Sequence, residues 1–361
     1  MLPWTPPHCP NPECPCHQPN PVNWRFRRRG SFHRFSPPHR VPRFQCGHCG
    51  RCFCRQTFAC TYYLKRPELL ERVASLSVNG MANRQIARAL DCAPSTVDAL
   101  LSRLGRHCLL FQRQLPLPPS TRRDIVADGL VTFEVSQYHP FEILAAVDRN
   151  SSFVLHFSDA PLRRSGRMTA PQKAKRAALE DRLGRPDPQA VRRAMTEVLQ
   201  EAAHGAQQVT VFTDEHRAYP GALRRLPCPY QHRQTSSRAH RDRFNALFEV
   251  NSLDSFTRHS CANHRRETIA FAKRRQGALE RLAVFVVWKN WVKMRWEKGC
   301  LETAAMLIGL ATKALTMQEV LSRRLFVGHL ELPGSWQQYY WRKVETPALG
   351  VNRRHALKYA Q

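Results

Sequence analysis

Gln207-Gln208-Val209-Thr210-Val211-Phe212-Thr213-Asp214 is a short β-branched run that ends on a carboxylate, and Glu215-His216-Arg217-Ala218-Tyr219 after it suits a helix. Asp214 is therefore expected at the carboxyl end of a strand. In open α/β sheets such ends converge on the crevice that takes ligands. Further along, residues 241–251 predict a helix with Phe244, Leu247, Phe248 and Asn251 on one stripe and Glu249 at its edge, facing Asp214. Asp128 opens an earlier strand-like run, Gly129-Leu130-Val131-Thr132-Phe133-Glu134-Val135. Asp128, Asp214 and Glu249 are thus a candidate trio. Three acids in one cleft repel one another unless cations neutralise them, so the trio predicts a divalent-metal site. A magnesium pair clamping attacking and leaving oxygens is the chemistry of nucleases and related phosphoryl-transfer enzymes.

The scaffold around these acids is strongly basic. The chain of 361 residues has 56 Lys and Arg against 28 Asp and Glu, a formal net charge of +28. Such an excess costs self-repulsion on folding and favours a polyanionic partner, nucleic acid first. A bilayer surface is second, but the longest uncharged apolar run towards the C-terminus, residues 282–288, is far too short to span one, so no membrane partner is expected. Met1 is followed by proline, histidine and cysteine with no apolar core segment, so no secretion signal is read. Length predicts two or three domains.

Of 13 cysteines, seven fall between Cys9 and Cys54, which without a secretion signal favours metal ligation over disulfides. Cys9-Pro-Asn-Pro-Glu-Cys14 and Cys46-Gly-His-Cys49-Gly form two knuckle-like pairs, with Gly47 and Gly50 allowing backbone amides near the sulfurs. Cys9, Cys14, Cys46 and Cys49 are the expected Zn2+ ligands, with Cys16 competing for the place of Cys14. Between the knuckles, Trp24-Arg25-Phe26-Arg27 and Phe32-His33-Arg34-Phe35 alternate as strands, with Gly30 at a turn, which describes a zinc ribbon.

Residues 67–107 change to helical character. Leu69, Leu70, Val73, Leu76 and Val78 give one stripe, ended by Asn79-Gly80; residues 83–90 give a second helix; Pro94-Ser95-Thr96-Val97 leads into Leu100, Leu101 and Leu104 as a third. Two short helices with small residues at the bend describe a helix-turn-helix. Ser95 and Thr96 would open the recognition helix, with Arg84, Arg103 and Arg106 available to phosphates. Prolines around 116–119 mark a linker over 111–124. Beyond Asp128 the order is three strands (130–135, 141–148, 153–158), a basic insert at 165–184, a helix at 188–204, the strand ending at Asp214, a helix and a short strand near 228–232. That order predicts a mixed sheet with helices on both faces. Residues 279–296 read as a buried helix, and 301–326 as another.

Asp128-Gly129-Leu130, Phe212-Thr213-Asp214-Glu215-His216-Arg217-Ala218-Tyr219 and Phe248-Glu249-Val250-Asn251-Ser252-Leu253, followed by His264-Arg265-Arg266-Glu267-Thr268-Ile269-Ala270-Phe271-Ala272-Lys273, resemble the DDE transposases of small bacterial insertion sequences. The similarity is to those with an N-terminal zinc ribbon and a helix-turn-helix before an RNase H-like domain, and it covers most of the chain. It implies a multi-domain α/β protein: a zinc ribbon over 1–62, a helix-turn-helix over 63–110, the linker, an RNase H-like mixed-sheet catalytic domain over 125–297, and a helical, basic extension over 298–361. The activity implied is cleavage of element ends and joining of the 3′-hydroxyl to target DNA, with Asp128, Asp214 and Glu249 holding Mg2+ or Mn2+. Arg265, Arg266 and Lys273 match the basic segment that follows the glutamate and faces the DNA backbone. Expected partners are double-stranded DNA, both element ends and target, and further copies of the chain in a dimer or higher oligomer; the expected location is the bacterial cytoplasm, at the nucleoid. Many relatives carry an acid immediately after the first aspartate, where this chain has Gly129, and the first knuckle is wider than usual. Two other readings stand beside this one: a DNA-binding regulator whose sheet domain is catalytically silent, and a structure-selective nuclease that joins nothing.

Overall fold

A computed structural model describes residues 4–18, 21–34, 39–236, 238–265, 268–296, 299 and 301–346. Phe35, Arg266 and the basic tail from 347 onward lie outside the described residues. The chain opens with a three-stranded antiparallel sheet, β1 (Phe26–His33), β2 (Arg40–Cys46) and β3 (Cys52–Cys54), in that order. Gly30 is not at a turn: β1 is one strand with a bulge between Arg28 and Ser31, and the φ of 70° at Gly30 is what the bulge requires. This sheet has its own small core of Cys9, Cys14, Cys46, Phe53 and Phe58.

Three helices follow, α1 (Leu69–Val78), α2 (Asn83–Ala89) and α3 (Pro94–Arg113). Pro94 starts α3 where no amide donor is needed. α3 is the surprise. It runs through the expected module boundary to Arg113, leaving only residues 114–119 as connection before β4 (Ser120–Phe133). Its second half is buried throughout, and its end is tied to the next sheet: Gln112 donates to the Val154 carbonyl at 3.2 Å and accepts from the Trp291 indole at 3.0 Å. α1, α2, α3 and the large sheet therefore share one continuous core.

That sheet comprises β4, β5 (Pro140–Asp148), β6 (Val154–Pro161), β7 (Ala206–Thr213) and β8 (Tyr230–Gln234), in the order β6-β5-β4-β7-β8. β4, β5 and β6 are antiparallel; β7 and β8 run parallel to β4. The basic insert is α4 (Ala170–Leu183), a helix with no buried residue, laced by Glu180 to Arg163 and Arg185. α5 (Ala190–Ala203) turns Val191, Ala194, Met195, Val198 and Leu199 inward at helical spacing and packs on β5 and β6. α6 (Tyr219–Leu223) is short, and α7 (Phe248–Ser260) and α8 (Arg275–Val287) cover the face that carries Leu130, Ile143 and Ala145. α7 begins at Phe248, not near 241, because Asp242 accepts the Phe244 and Asn245 amides and holds 242–245 as a turn; Phe244 is left 79% exposed.

After α8 the chain winds through a wider turn over Trp288–Val292, so the helix expected over 279–296 stops early: Trp291 is buried and Trp296 is exposed. The single helix expected over 301–326 is instead α9 (Ala304–Leu307) and α10 (Met317–Ser322), each started by a threonine cap, and α11 (Gly334–Tyr340) follows. Residues 324–329 reach back to the cysteine-bearing sheet, with the Phe326 amide on the Phe58 carbonyl at 3.2 Å and His17 on the Gly328 carbonyl at 3.2 Å. Among the described residues no helix is long and apolar enough to cross a membrane.

α3 and α8 cross closely at one glycine. A Cβ on Gly105 would stand 2.6 Å from the Cα and carbonyl oxygen of Glu280, backbone that cannot swing aside. Gly105→Ala is therefore expected to cost about 1–3 kcal/mol through overpacking, measured as a lower denaturation midpoint; an unchanged midpoint would show that the two helices part without cost.

Candidate metal and nucleic-acid sites

Cys9, Cys14, Cys46 and Cys49 bring their sulfurs together from two turns, and the four could hold a metal ion. Cys9 and Cys49 sulfurs are 3.5 Å apart and those of Cys14 and Cys46 4.0 Å. Four thiolates about 2.3 Å from a tetrahedral zinc stand about 3.8 Å from one another, so the spacing suits that ion. Cys14 belongs to the set and Cys16 does not, because the turn that returns the Cys9 amide to the Cys16 carbonyl points Cys14 inward, leaving Cys16 at the half-buried edge. Burial pushes the Cys46 thiol up, but donors from the Cys49 amide, the Trp24 indole and the His48 amide outweigh it and bring it down to about 6. A thiolate is the ligand form. Metal analysis of the purified protein should find about one zinc per chain, and Cys46→Ser should lose it together with the ordered fold of the small sheet; a metal-free wild-type protein that keeps that fold would end the assignment.

The second site lies at the end of the large sheet. β4 pairs with β7 only as far as Val126 opposite Phe212, so past that point β4 is paired on its β5 side and free on the side β7 has left. Asp128 sits on that free stretch, opposite Ala145, and Asp214 directly follows β7. Asp128 Oδ1 accepts its neighbour Gly129's amide at 2.8 Å and the Tyr219 hydroxyl at 3.4 Å. Asp214 Oδ1 accepts the His216 amide at 2.9 Å, the turn that starts the chain towards α6.

Two acids that the sequence did not single out join them. Glu142, from β5, folds over Gly129 so closely that a Cβ there would stand 2.8 Å from its Cγ. Asp254 approaches from α7. Burial, and then the charge of Asp128, hold both Glu142 and Asp254 up to about 7, with Asp214 adding to the shift of Glu142 and Arg258 and Arg241 opposing that of Asp254. Asp128 is raised too, by burial and then by Asp214. The same three acids, Asp128, Glu142 and Asp214, add to burial in pushing the Tyr219 phenol up.

Glu249 is not part of it. Its carboxylate turns to the β5–β6 connection, where it accepts from the Ser152 hydroxyl and pairs with Arg295 at 3.2 Å, with Lys289 adding a second cation. Five residues at about 100° each set Glu249 and Asp254 about 140° apart around α7. Only one of them can face Asp128, and the described side chains give that place to Asp254. Among the described residues the cysteine set is the only group of three or more ligand side chains whose atoms all fall within 4.8 Å, so the carboxylates are gathered but not drawn to metal-ligand spacing.

The residues expected on DNA divide. Arg84 and Ser95 are exposed and Thr96 half-buried where α2 meets the start of α3, with Asn83 bonded across to Asp98. Arg265 is exposed and lies against the α1–α2 turn, its guanidinium donating to the His259 carbonyl at 3.2 Å. Lys273 is exposed, its amine 3.4 Å from the Phe271 ring centre. Arg103 faces inward instead, 6% exposed, donating to the Cys60 and Tyr62 carbonyls, and Arg106 is buried against Phe326 and Tyr340. Both are structural, because the α3 face that carries them is covered by the residue 60–62 turn and by the chain's C-terminal segments.

No protein-family model matches the chain, and no curated protein matches it. Among solved structures it is similar to a chain of the simian T-cell lymphotropic virus intasome in complex with PP2A regulatory subunit B56 gamma, at 12% identity over 68% of this chain and 77% of that one, with a TM-score of 0.26.

Proposed function

We propose that the protein is a metal-dependent DNA transposase that cleaves element ends and joins them to target DNA, with the mixed sheet as an RNase H-like catalytic domain. The observation that carries the reading is the convergence of Asp128, Asp214, Glu142 and Asp254 at one sheet end of a chain whose net charge is +28. A basic protein that gathers acids there, still raised against the opposing charges of Arg241 and Arg258, has a use for divalent cations and for a polyanion at the same place. Asp128 and Asp214 would hold Mg2+ or Mn2+, with Asp254 as the third carboxylate in the place first given to Glu249. Such ions supply a stronger nucleophile and a stabilised leaving oxygen.

The chain's own residues do the rest. Tyr219 fixes the Asp128 carboxylate from one side, and the charge of Arg241 reaches both Asp128 and Asp254, offsetting repulsion. Ser95, Thr96 and Arg84 would read and grip a duplex at the front of α3, and Arg265 and Lys273 would extend the basic surface. The zinc-binding sheet would add phosphate contacts through its exposed arginines, and two ends are processed together if two copies pair on DNA. Incubating the full chain with its element's end DNA and Mg2+ should give strand-joined products. Tight binding with no cleaved strand would instead mark a DNA-binding regulator, and cleavage without joining a nuclease.

A further inference from the structure

Residues 324–329 run between the small sheet and α3. The small sheet holds them from one side: the Arg324 guanidinium donates to the Arg55 carbonyl at 3.0 Å and the Phe326 amide to the Phe58 carbonyl at 3.2 Å. The His17 ring stands between the Cys9 and Gly328 carbonyls, 2.7 and 3.2 Å away, and the His8 and His329 rings are 4.1 Å apart. On the other side Phe326 is buried against Arg106 and His107 of α3, and a Cβ on Gly328 would stand 2.6 Å from a methyl of Leu110. The Gly328 amide donates to the Tyr340 hydroxyl at 2.9 Å; beyond it Arg342 pairs with the buried Glu280 at 2.9 Å, and the Thr346 hydroxyl donates at 2.8 Å to Glu134, just past β4. Residues 324–346 are thus a belt across α3 and α8, fastened at its first end to the cysteine-bearing turns.

We infer that the four-cysteine metal site is the clasp of this belt: with zinc bound, His8, His17 and Phe58 hold residues 324–329 on α3, and loss of zinc frees that segment while the large sheet stays folded. The inference rests on the zinc assignment and is independent of the DNA-cleaving reading. His8 adjoins Cys9, the His17 amide donates to the Cys14 carbonyl at 2.8 Å, and Phe58 belongs to the same small core as Cys9, Cys14, Cys46 and Phe53. A core of that size does not hold a sheet by itself, whereas four thiolates on one metal do. When the sheet lets go, Phe326 loses the acceptor of its amide and Gly328 the ring on its carbonyl. The large sheet has a core of its own, continuous with α3, so the loosening is local.

The test is amide hydrogen exchange, read by mass spectrometry, on the full-length protein with zinc and after chelation, together with zinc-loaded H17A and R324A. Chelation should speed exchange at 324–329 by about a hundredfold and leave β4, β5 and β7 protected. Each variant should keep its zinc, checked by metal analysis, and exchange about tenfold faster at 324–329 with the small sheet unchanged. R324A cuts a contact away from the cysteines, so it carries the expectation even where H17A disturbs the metal. Equal protection of 324–329 with and without zinc overturns the inference, since α3 would then hold the segment unaided. Loss of protection in the large sheet along with the segment overturns it as well, because zinc would then staple the whole fold. Residues 324–329 unmoved in both zinc-loaded variants would remove the clasp while leaving the zinc site, and a wild-type protein that holds no zinc removes both.

Discussion

Asp214→Asn is expected to lower Mg2+-dependent strand cleavage by about a thousandfold, on the order of 4 kcal/mol of lost transition-state stabilisation. Asparagine keeps the side chain's size and an oxygen that can still accept the His216 amide, so the turn after β7 survives. What it removes is one negative charge from a cluster already crowded with them. Folding should not suffer for that: with less repulsion against Asp128 and Glu142, the thermal midpoint in the absence of metal should hold or rise. DNA affinity without metal should hold as well, since α2, the front of α3 and the basic surfaces are untouched. Cleavage at the wild-type rate by this variant would take Asp214 out of the mechanism, and with it the metal site.

The second large effect separates two acids of one helix. Asp254→Asn should cost about a hundredfold or more in cleavage with little loss of stability. Glu249→Gln should do the reverse, leaving the rate within a few-fold and destabilising the protein by about 1–3 kcal/mol, because Lys289 would keep a buried charge whose partner had gone. Burial already pulls the Lys289 amine down to about 8, with Glu249 working against it, so the neutral partner should also let that lysine lose its proton more readily. Measuring rate and denaturation midpoint on both variants decides between them. A rate loss at Glu249 with Asp254 silent would restore the arrangement read from the sequence and require α7 to rotate when DNA binds.

The contrast shows which links of the argument a sequence carries. β7 and Asp214 were legible because a β-branched run ending in a carboxylate has one sensible local reading, and the cysteine pairs because their spacing is itself the geometry of a knuckle. The helix expected over 188–204 was legible too, as α5. The phase of α7 was not: its apolar stripe was started a turn early, on Phe244, which set Glu249 towards Asp128, whereas the described side chains turn Asp254 that way and Glu249 to Ser152 and Arg295. The cause is the Asp242 turn, which competes with helix over 242–245 and leaves no trace in hydrophobic periodicity. Glu142 was missed because its closeness to Asp128 comes from strand register, which sets it opposite Val131 with its side chain over Gly129, and register is set by pairing between distant segments. Arg103 and Arg106 were placed outward since long basic side chains usually are; only the fold shows the turn at 60–62 and the segments near 326 and 340 closing over them.

α3 is 20 residues long, so about 30 Å of unbroken helix joins the end that would meet bases to the core beneath the carboxylates. No hinge interrupts it, and Gly105, the residue where one would be sought, is clamped on the backbone of Glu280. In the proposed transposase the two sites would then act like a caliper with its jaws welded: the number of base pairs between the bound sequence and the cleaved bond would be dictated by the length of one rod, and an end lengthened by half a helical turn of DNA would present the wrong strand to the acids.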